Sequence, residues 1–294
     1  MTYKGERRVR GRPPAGISES MTIGPNGSHT QACLCPRDQR FRGVLYDSGD
    51  GGGTPIAGSI EAVKRLKTSG LKVRFCTNES QCTRQTLVDK LRRLGFDISL
   101  EEVFSPAPAA CQLVRERGLH PFLLIHPDAV SDFSEFDLSL TPNCVVIGDA
   151  AMRFSYDRLN AAFRILIGQE HPVLIAMGKG RYYKETDGLM MDVGCFMAAL
   201  EYATGCKAEV VGKPDKGFFL AAVNDMGIKP EHALMVGDDI VNDVGGAQSC
   251  GIKGVQVRTG KFRPSDENHP TVRPDGFVDN LAHAVDILLK AHAQ

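Results

Sequence analysis

Short apolar runs alternate with stretches of helical period along this chain, and the alternation becomes regular at Gly43. Strand-like runs fall at residues 43–46, 71–76, 122–125, 144–148, 173–176, 208–211, 233–236 and 253–257. Between most of them, apolar residues recur at three- and four-residue spacing. Ile60, Val63 and Leu66 mark one helix. Leu87, Leu91 and Leu94 mark another, with Thr83 as its N-cap and Gly95 as its stop. Ala222, Val223 and Met226, then Val285, Leu288 and Leu289, mark two more. Strands alternating with helices predict an α/β fold with a parallel sheet. Eight or nine strands exceed one compact doubly wound unit in 294 residues, so a second α/β module inserted into the first is expected. No internal repeat is evident.

The polar residues that follow the apolar runs carry the candidate chemistry. Ala233-Leu234-Met235-Val236 leads straight into Gly237, Asp238 and Asp239, and Asp243 follows one helical turn later. A buried strand ending in carboxylates puts them at the C-terminal edge of a parallel sheet, where open α/β folds place ligands. Crowded carboxylates repel one another and suit a hard divalent cation such as Mg²⁺. A plain strand-to-helix turn with Asp239 as N-cap accounts for one of these acids. Phe75-Cys76-Thr77-Asn78-Glu79-Ser80 ends another run. Its hydroxyl, amide and backbone N–H groups can hold a phosphate oxygen, and they equally suit capping. In Val210-Val211-Gly212-Lys213-Pro214, Gly and Pro pin Lys213 at a strand end. A lysine so held can neutralise a phosphoryl group or a carboxylate. A solvated loop lysine is the alternative.

Charge and cysteine usage narrow the classes. Thirty-five basic and 35 acidic residues cancel, so no global field steers the chain to nucleic acid or an anionic membrane. No apolar run approaches the roughly 20 residues of a membrane helix. Of nine cysteines only Cys33 and Cys35 are close together, and no second pair at zinc spacing answers them. Buried thiols in a reducing compartment are the plain reading. Residues 1–42 hold eight Lys/Arg against three acids, a net charge of +5, and are rich in Gly, Pro and Ser. That composition predicts a disordered basic tail. The start lacks a secretory apolar region, which implies a cytoplasmic protein.

The order Thr-Asn, then Lys-Pro, then Gly-Asp-Asp…Asp, each after a strand, resembles haloacid dehalogenase (HAD)-type phosphatases. The strings Arg74-Phe-Cys-Thr-Asn-Glu-Ser-Gln81, Gly178-Lys-Gly-Arg-Tyr-Tyr-Lys-Glu-Thr186, Glu209-Val-Val-Gly-Lys-Pro214 and Arg258-Thr-Gly-Lys-Phe-Arg-Pro-Ser-Asp-Glu267 carry the likeness from about Gly43 to the C-terminus. The resemblance implies a HAD-like parallel-sheet core at residues 43–105 and 192–294, with an inserted α/β cap of the C2 type at 106–191. It implies that Thr77 and Asn78 bind the transferring phosphate, together with Lys213. Lys213 would also stabilise a phosphoryl-enzyme. Asp238 would be a Mg²⁺ ligand, and Asp243 would support the metal from behind. The implied activity is Mg²⁺-dependent hydrolysis of phosphohistidine and phospholysine P–N bonds and of pyrophosphate or imidodiphosphate. The implied partners are small phosphorylated substrates or proteins bearing those P–N groups, and a second copy of the chain as a homodimer. Nucleic acid and membrane are not among them. The implied location is the cytoplasm, with the nucleus as a second site. In the cap, Gly178–Lys184 brings cationic and aromatic groups that suit an anionic substrate; a partly exposed cap strand is the alternative.

One family feature is missing. The family places its nucleophilic aspartate at the end of the first strand, as apolar–Asp-x-(Asp/Ser)-Gly, and that carboxylate forms an aspartyl-phosphate. Here the matching stretch reads Arg40-Phe41-Arg42-Gly43, so Arg40 occupies the nucleophile position and Arg42 the Asp/Ser position. Asp47, after Val44-Leu45-Tyr46, is the substitute candidate. Using it slides the first strand by seven residues from Arg40, an odd slip that turns every side chain to the other face. The polypeptide as written is therefore expected to turn over far more slowly than its relatives.

Overall fold

A computed structural model of the chain describes residues 31–34, 43–47, 53–185 and 188–292. In chain order the first elements are β1 (Gln31–Leu34), β2 (Tyr46–Asp47), β3 (Thr54–Pro55), α1 (Ser59–Thr68), β4 (Val73–Cys76), α2 (Arg84–Arg93) and β5 (Val103–Phe104). Then come α3 (Ala107–Glu116), β6 (Pro121–Leu124), β7 (Cys144–Ile147), α4 (Tyr156–Ile167), β8 (Val173–Ala176), β9 (Tyr182–Glu185), β10 (Gly188–Met191), α5 (Val193–Thr204) and β11 (Glu209–Val210). The chain continues with α6 (Lys216–Asp225), β12 (Ala233–Gly237), a π-helical turn (Ile240–Gly245), α7 (Gly246–Gln248), β13 (Lys253–Val257), β14 (Gly276–Val278) and α8 (Leu281–His292).

Two sheets organise these elements. The larger has the order β14-β13-β12-β1-β4-β5, and the smaller β11-β8-β7-β6. Every pairing within both sheets is parallel. Both sheets are covered on two faces, which is why their strands read as continuous apolar runs rather than as alternation. On β12, Leu234 and Val236 join the cluster under α1, α2 and α8. Ala233 and Met235 turn to the opposite face, against Phe219, Ala222 and Val223 of α6. β7 repeats the arrangement: Cys144 and Val146 face α3, whereas Val145 and Ile147 face α4 and α5.

The helix signals hold in detail. Thr83 caps α2 by accepting the Thr86 N–H at 3.2 Å. Gly95 ends that region with a φ of +97°. Three readings from sequence are corrected. First, residues 31–34, assigned to a disordered tail, form β1 at the centre of the large sheet; the rest of residues 1–42 lies outside the described residues. Second, residues 43–46 are not the first strand of a parallel sheet. Gly43–Leu45 form a turn that leads into the β2–β3 hairpin. Val44, Leu45 and Tyr46 are buried because this turn docks on α1, where the Ser59 hydroxyl donates to the Leu45 carbonyl at 2.7 Å. Third, α5 and β11, read as the start of the second core segment at residue 192, join the smaller sheet instead.

Candidate functional site

β1 is the strand at which the order of the large sheet reverses. β4 and β5 lie to one side of it, and β12, β13 and β14 to the other. Leu34 is level with Phe75 and with Val236, so the ends of β4 and β12 flank the end of β1. This is the switch-point crevice where open α/β sheets place ligands. Thr77 and Asn78 leave β4 here, and Asp238, Asp239 and Asp243 follow β12. All but Asp239 are almost completely buried.

Lys213, just after the edge strand β11 of the smaller sheet, reaches the same site. The Asn78 side chain grips its main chain at both ends. Asn78 Nδ2 donates to the Lys213 carbonyl at 2.8 Å, and the Lys213 N–H donates to Asn78 Oδ1 at 2.8 Å. The Lys213 ammonium is thereby aimed at Asp243 Oδ1, 2.9 Å away, and at the Cys76 carbonyl, 3.1 Å away. Neither side chain of this ion pair is exposed. Thr77 is held by its N–H to the Phe104 carbonyl at 2.8 Å, and its hydroxyl accepts the Glu79 N–H at 3.0 Å. The structure thus brings Thr77, Asn78, Lys213 and Asp243 together.

The three acids after β12 have separate roles. Asp239 is the N-cap of the π-helical turn, accepting from the Val241 and Asn242 N–H groups at 3.1 and 2.9 Å. Asp243 pairs with Lys213 and accepts the Asp239 N–H at 3.1 Å. Asp238 Oδ2 accepts the Lys261 N–H at 2.9 Å. It also lies beneath Gly43 and Gly260, where an added Cβ would come within 2.5 and 2.4 Å of that oxygen. Their φ values of +101° and +61° permit this close approach. The Thr259 hydroxyl donates to the Gly43 carbonyl and closes the contact. The three acids that are adjacent in sequence thus have different partners in the fold. Among the described residues, no group of three or more His, Cys, Asp or Glu side chains stands together as a metal site.

The β9–β10 hairpin approaches the edge from the smaller-sheet side. Lys261 Nζ donates to the Tyr182 carbonyl at 2.7 Å and meets Asp239 Oδ2 at 3.3 Å. A cavity of about 310 Å³ opens here, lined by Lys179, Arg181, Tyr182, Asp239, Lys261 and His269 among others. The Gly178–Lys184 stretch is therefore at the site, although only part of its side chains face the cavity: Tyr183 is buried. Lys261 was not singled out from sequence. Its signal was a basic loop, Arg258-Thr-Gly-Lys-Phe-Arg263, directly after the apolar run at 253–257. A larger cavity of about 620 Å³ lies between α3 and α6. Its walls include Phe104, Leu113 and Phe218, and it holds none of the strand-end groups above. Asp47 is exposed on the β2–β3 hairpin, away from the parallel strands. Arg40 lies outside the described residues.

Two family models match: haloacid dehalogenase-like hydrolase over residues 41–139, and a HAD-hydrolase-like model over residues 210–284. With this fold and this strand-end site, the chain belongs to the haloacid dehalogenase-like hydrolases and stands with their phosphatases. It is 65% identical over 248 residues to the phospholysine phosphohistidine inorganic pyrophosphate phosphatase of Homo sapiens, covering 84% of this chain and 92% of that protein. The Danio rerio protein of the same name is 63% identical over 247 residues, covering 84% and 91%. Among solved structures, the 4-nitrophenylphosphatase of Thermotoga maritima superposes with a TM-score of 0.77 at 26% identity, covering 88% of this chain and 97% of that one.

Proposed function

We propose that this chain binds phosphoryl groups at Thr77, Asn78 and Lys213, with substrates of the class that its relatives' names describe: phosphohistidine, phospholysine and pyrophosphate. The carrying observation is the fully buried Lys213 ammonium, locked by Asn78 and Asp243 at the edge shared by β4 and β12. The Thr77 hydroxyl and the backbone N–H groups of its loop hold one phosphoryl oxygen. Lys213 neutralises the negative charge that is spread over the equatorial oxygens during transfer, a task in which positioning and electrostatics carry most of the barrier reduction.

A second reading is favoured by one specific observation. By the resemblance Arg40, six residues past the end of β1 at Leu34, stands at the family's nucleophile position, and a guanidinium, always protonated at neutral pH, is no nucleophile. We propose that turnover of the polypeptide as written is strongly depressed and that it acts as a phosphoryl-binding protein. Mg²⁺ affinity is proposed to be weak, because Arg40-Phe41-Arg42 supplies no carboxylate where the family's motif has one. No hydrolytic step through a metal is assigned. A cytoplasmic setting is supported by the free thiols of Cys111, Cys144 and Cys206, all buried. The location, a second nuclear pool and a homodimer are part of this proposal.

The test is phosphate release from imidodiphosphate and pyrophosphate by the purified chain, with and without Mg²⁺. The expected result is little release by the chain as written and a Mg²⁺-dependent gain in the Arg40→Asp/Arg42→Ser variant. Robust turnover by the unaltered chain that survives Asp47→Asn would overturn both the depressed-activity reading and the assignment of the nucleophile position.

A further inference from the structure

We infer that the 310 Å³ cavity beside the phosphoryl site is a receptor for a second anionic group on the ligand, with Lys261 as its specificity-determining residue. The inference rests on the phosphoryl-binding reading of the Thr77–Lys213 edge and goes beyond it to ligand choice.

Four observations support it. First, the cavity adjoins that edge, since Pro214 and Asp239, which follow Lys213 and Asp238 directly in sequence, both line it. Second, three cations surround one ring. Arg263 Cζ lies 4.6 Å from the Tyr182 centroid, and Arg181 Cζ and Lys261 Nζ each lie 5.8 Å from it. Asp239 offsets Lys261 at 3.3 Å and Asp266 also lines the cavity, so the positive excess open to a bound anion comes from Lys179 and Arg181. Third, the mouth carries exposed Lys179 and Arg181, which can fold onto a ligand, whereas the Lys261 side chain is only 11% exposed and already oriented by Tyr182 and Asp239. A partly desolvated, pre-oriented ammonium discriminates between anionic and cationic groups more strongly than a solvated one. Fourth, Lys261 joins the two halves of the site. Its N–H holds Asp238, and its ammonium holds the carbonyl of Tyr182 on the β9–β10 hairpin.

The chemistry selects a ligand class. In a phosphoanhydride or imidodiphosphate the group beyond the bridging atom is a second phosphate, which is anionic. In phospholysine the bridging nitrogen leads to the alkyl side chain, which carries no negative charge. The cavity therefore favours diphosphate-type ligands over phosphoramidates of lysine.

Binding, rather than turnover, tests this. Methylenediphosphonate carries two phosphoryl groups on a stable P–C–P bridge, and methylphosphonate carries one. By titration calorimetry on the full chain, the diphosphonate should bind at least about tenfold more tightly, the contribution of one charge-assisted hydrogen bond. That advantage should shrink to about twofold in Lys261→Met and in the surface double variant Lys179→Gln/Arg181→Gln, whose exposed positions leave folding intact. Equal binding of the two phosphonates by the parent chain overturns the second-anion receptor. So does an undiminished diphosphonate advantage in both variants. Those results leave the phosphoryl site standing, provided methylphosphonate binds and Lys213→Met abolishes it. Binding of neither phosphonate removes the phosphoryl-site reading, and this inference with it.

Discussion

Replacing Lys213 by Met leaves the Asp243 carboxylate buried without its cation. The two charged atoms are 2.9 Å apart, and neither side chain reaches solvent. At an effective dielectric of about 20, unit charges at that separation attract by about 6 kcal/mol before desolvation is counted. Desolvation of both groups offsets most of that, so the complete pair adds little net stability. Breaking the pair is different, because one desolvated charge remains, and such deletions cost about 3–5 kcal/mol. Met retains most of the volume of the lysine stem, so a cavity contributes little. We expect Lys213→Met to lower the calorimetric unfolding midpoint by about 10 °C and to abolish phosphonate binding. Adding Asp243→Asn removes the stranded charge and keeps an acceptor for the Asp239 N–H, now 3.1 Å from Asp243 Oδ2. The double variant should recover at least about half of the lost stability while binding stays absent. A midpoint change below about 2 °C in the single variant would refute the buried-pair reasoning. Restored binding in the double variant would refute the role of Lys213.

Further expectations follow from the same geometry. Gly260→Ala forces a Cβ to within 2.4 Å of both Asp238 Oδ2 and the Gly43 Cα at a φ of +61°; a loss of about 2 kcal/mol or more is expected in urea unfolding, and a neutral result would contradict the close approach. Asp239→Ala removes the N-cap of the π-helical turn, which should cost about 1–2 kcal/mol by the same measurement. Burial pushes the Cys144 thiol up to about 12, and burial with Glu135 and Asp132 nearby does the same to Cys111; both should resist iodoacetamide at pH 8 in the folded chain and react in urea, as mass spectrometry of labelled peptides can check. Hydrogen bonds from Arg117 hold the Glu209 carboxyl below its ordinary value of 4.5. Because the folded value is depressed, the stabilisation is present above the unfolded pKa and lost as pH falls through the folded one. Glu209→Gln should therefore be less stable than the parent at pH 7, by a few tenths of a kcal/mol for so exposed a pair, and the two should converge in acid.

Most of the fold was legible in the sequence. Strands β4, β6, β7, β8, β12 and β13 are short apolar runs buried on both faces, a pattern that survives any choice of partner. Thr83 and Gly95 bound α2 through local hydrogen bonding and a positive φ, so they too were readable. The positions of Thr77, Asn78, Lys213, Asp238 and Asp243 were legible because each follows such a run, and parallel strands carry their trailing residues to one edge. Strands β5 and β14 were not legible: two or three residues at a sheet edge carry no period. The exposed β10, with Leu189, Met190 and Met191 facing solvent, broke the rule that apolar runs lie inside. Val44 and Leu45 satisfied that rule without forming a strand, because a turn beneath α1 buries side chains as fully as a sheet does.

Only tertiary structure decided how the strand-end residues are used. Sequence spacing grouped Asp238, Asp239 and Asp243 as one acidic cluster. The fold divides them among a backbone N–H, a helix end and a buried ammonium. The partners come from Lys261 and Lys213, which lie on other loops. Asn78 grips Lys213 across 135 residues of chain, and Lys261 meets Tyr182 across 79. Hydrophobic periodicity is a property of neighbouring residues, so the sequence determines where strands end and which groups they deliver. Which charge meets which depends on the order and register of strands in the sheet, and that emerges only when the layers are packed together.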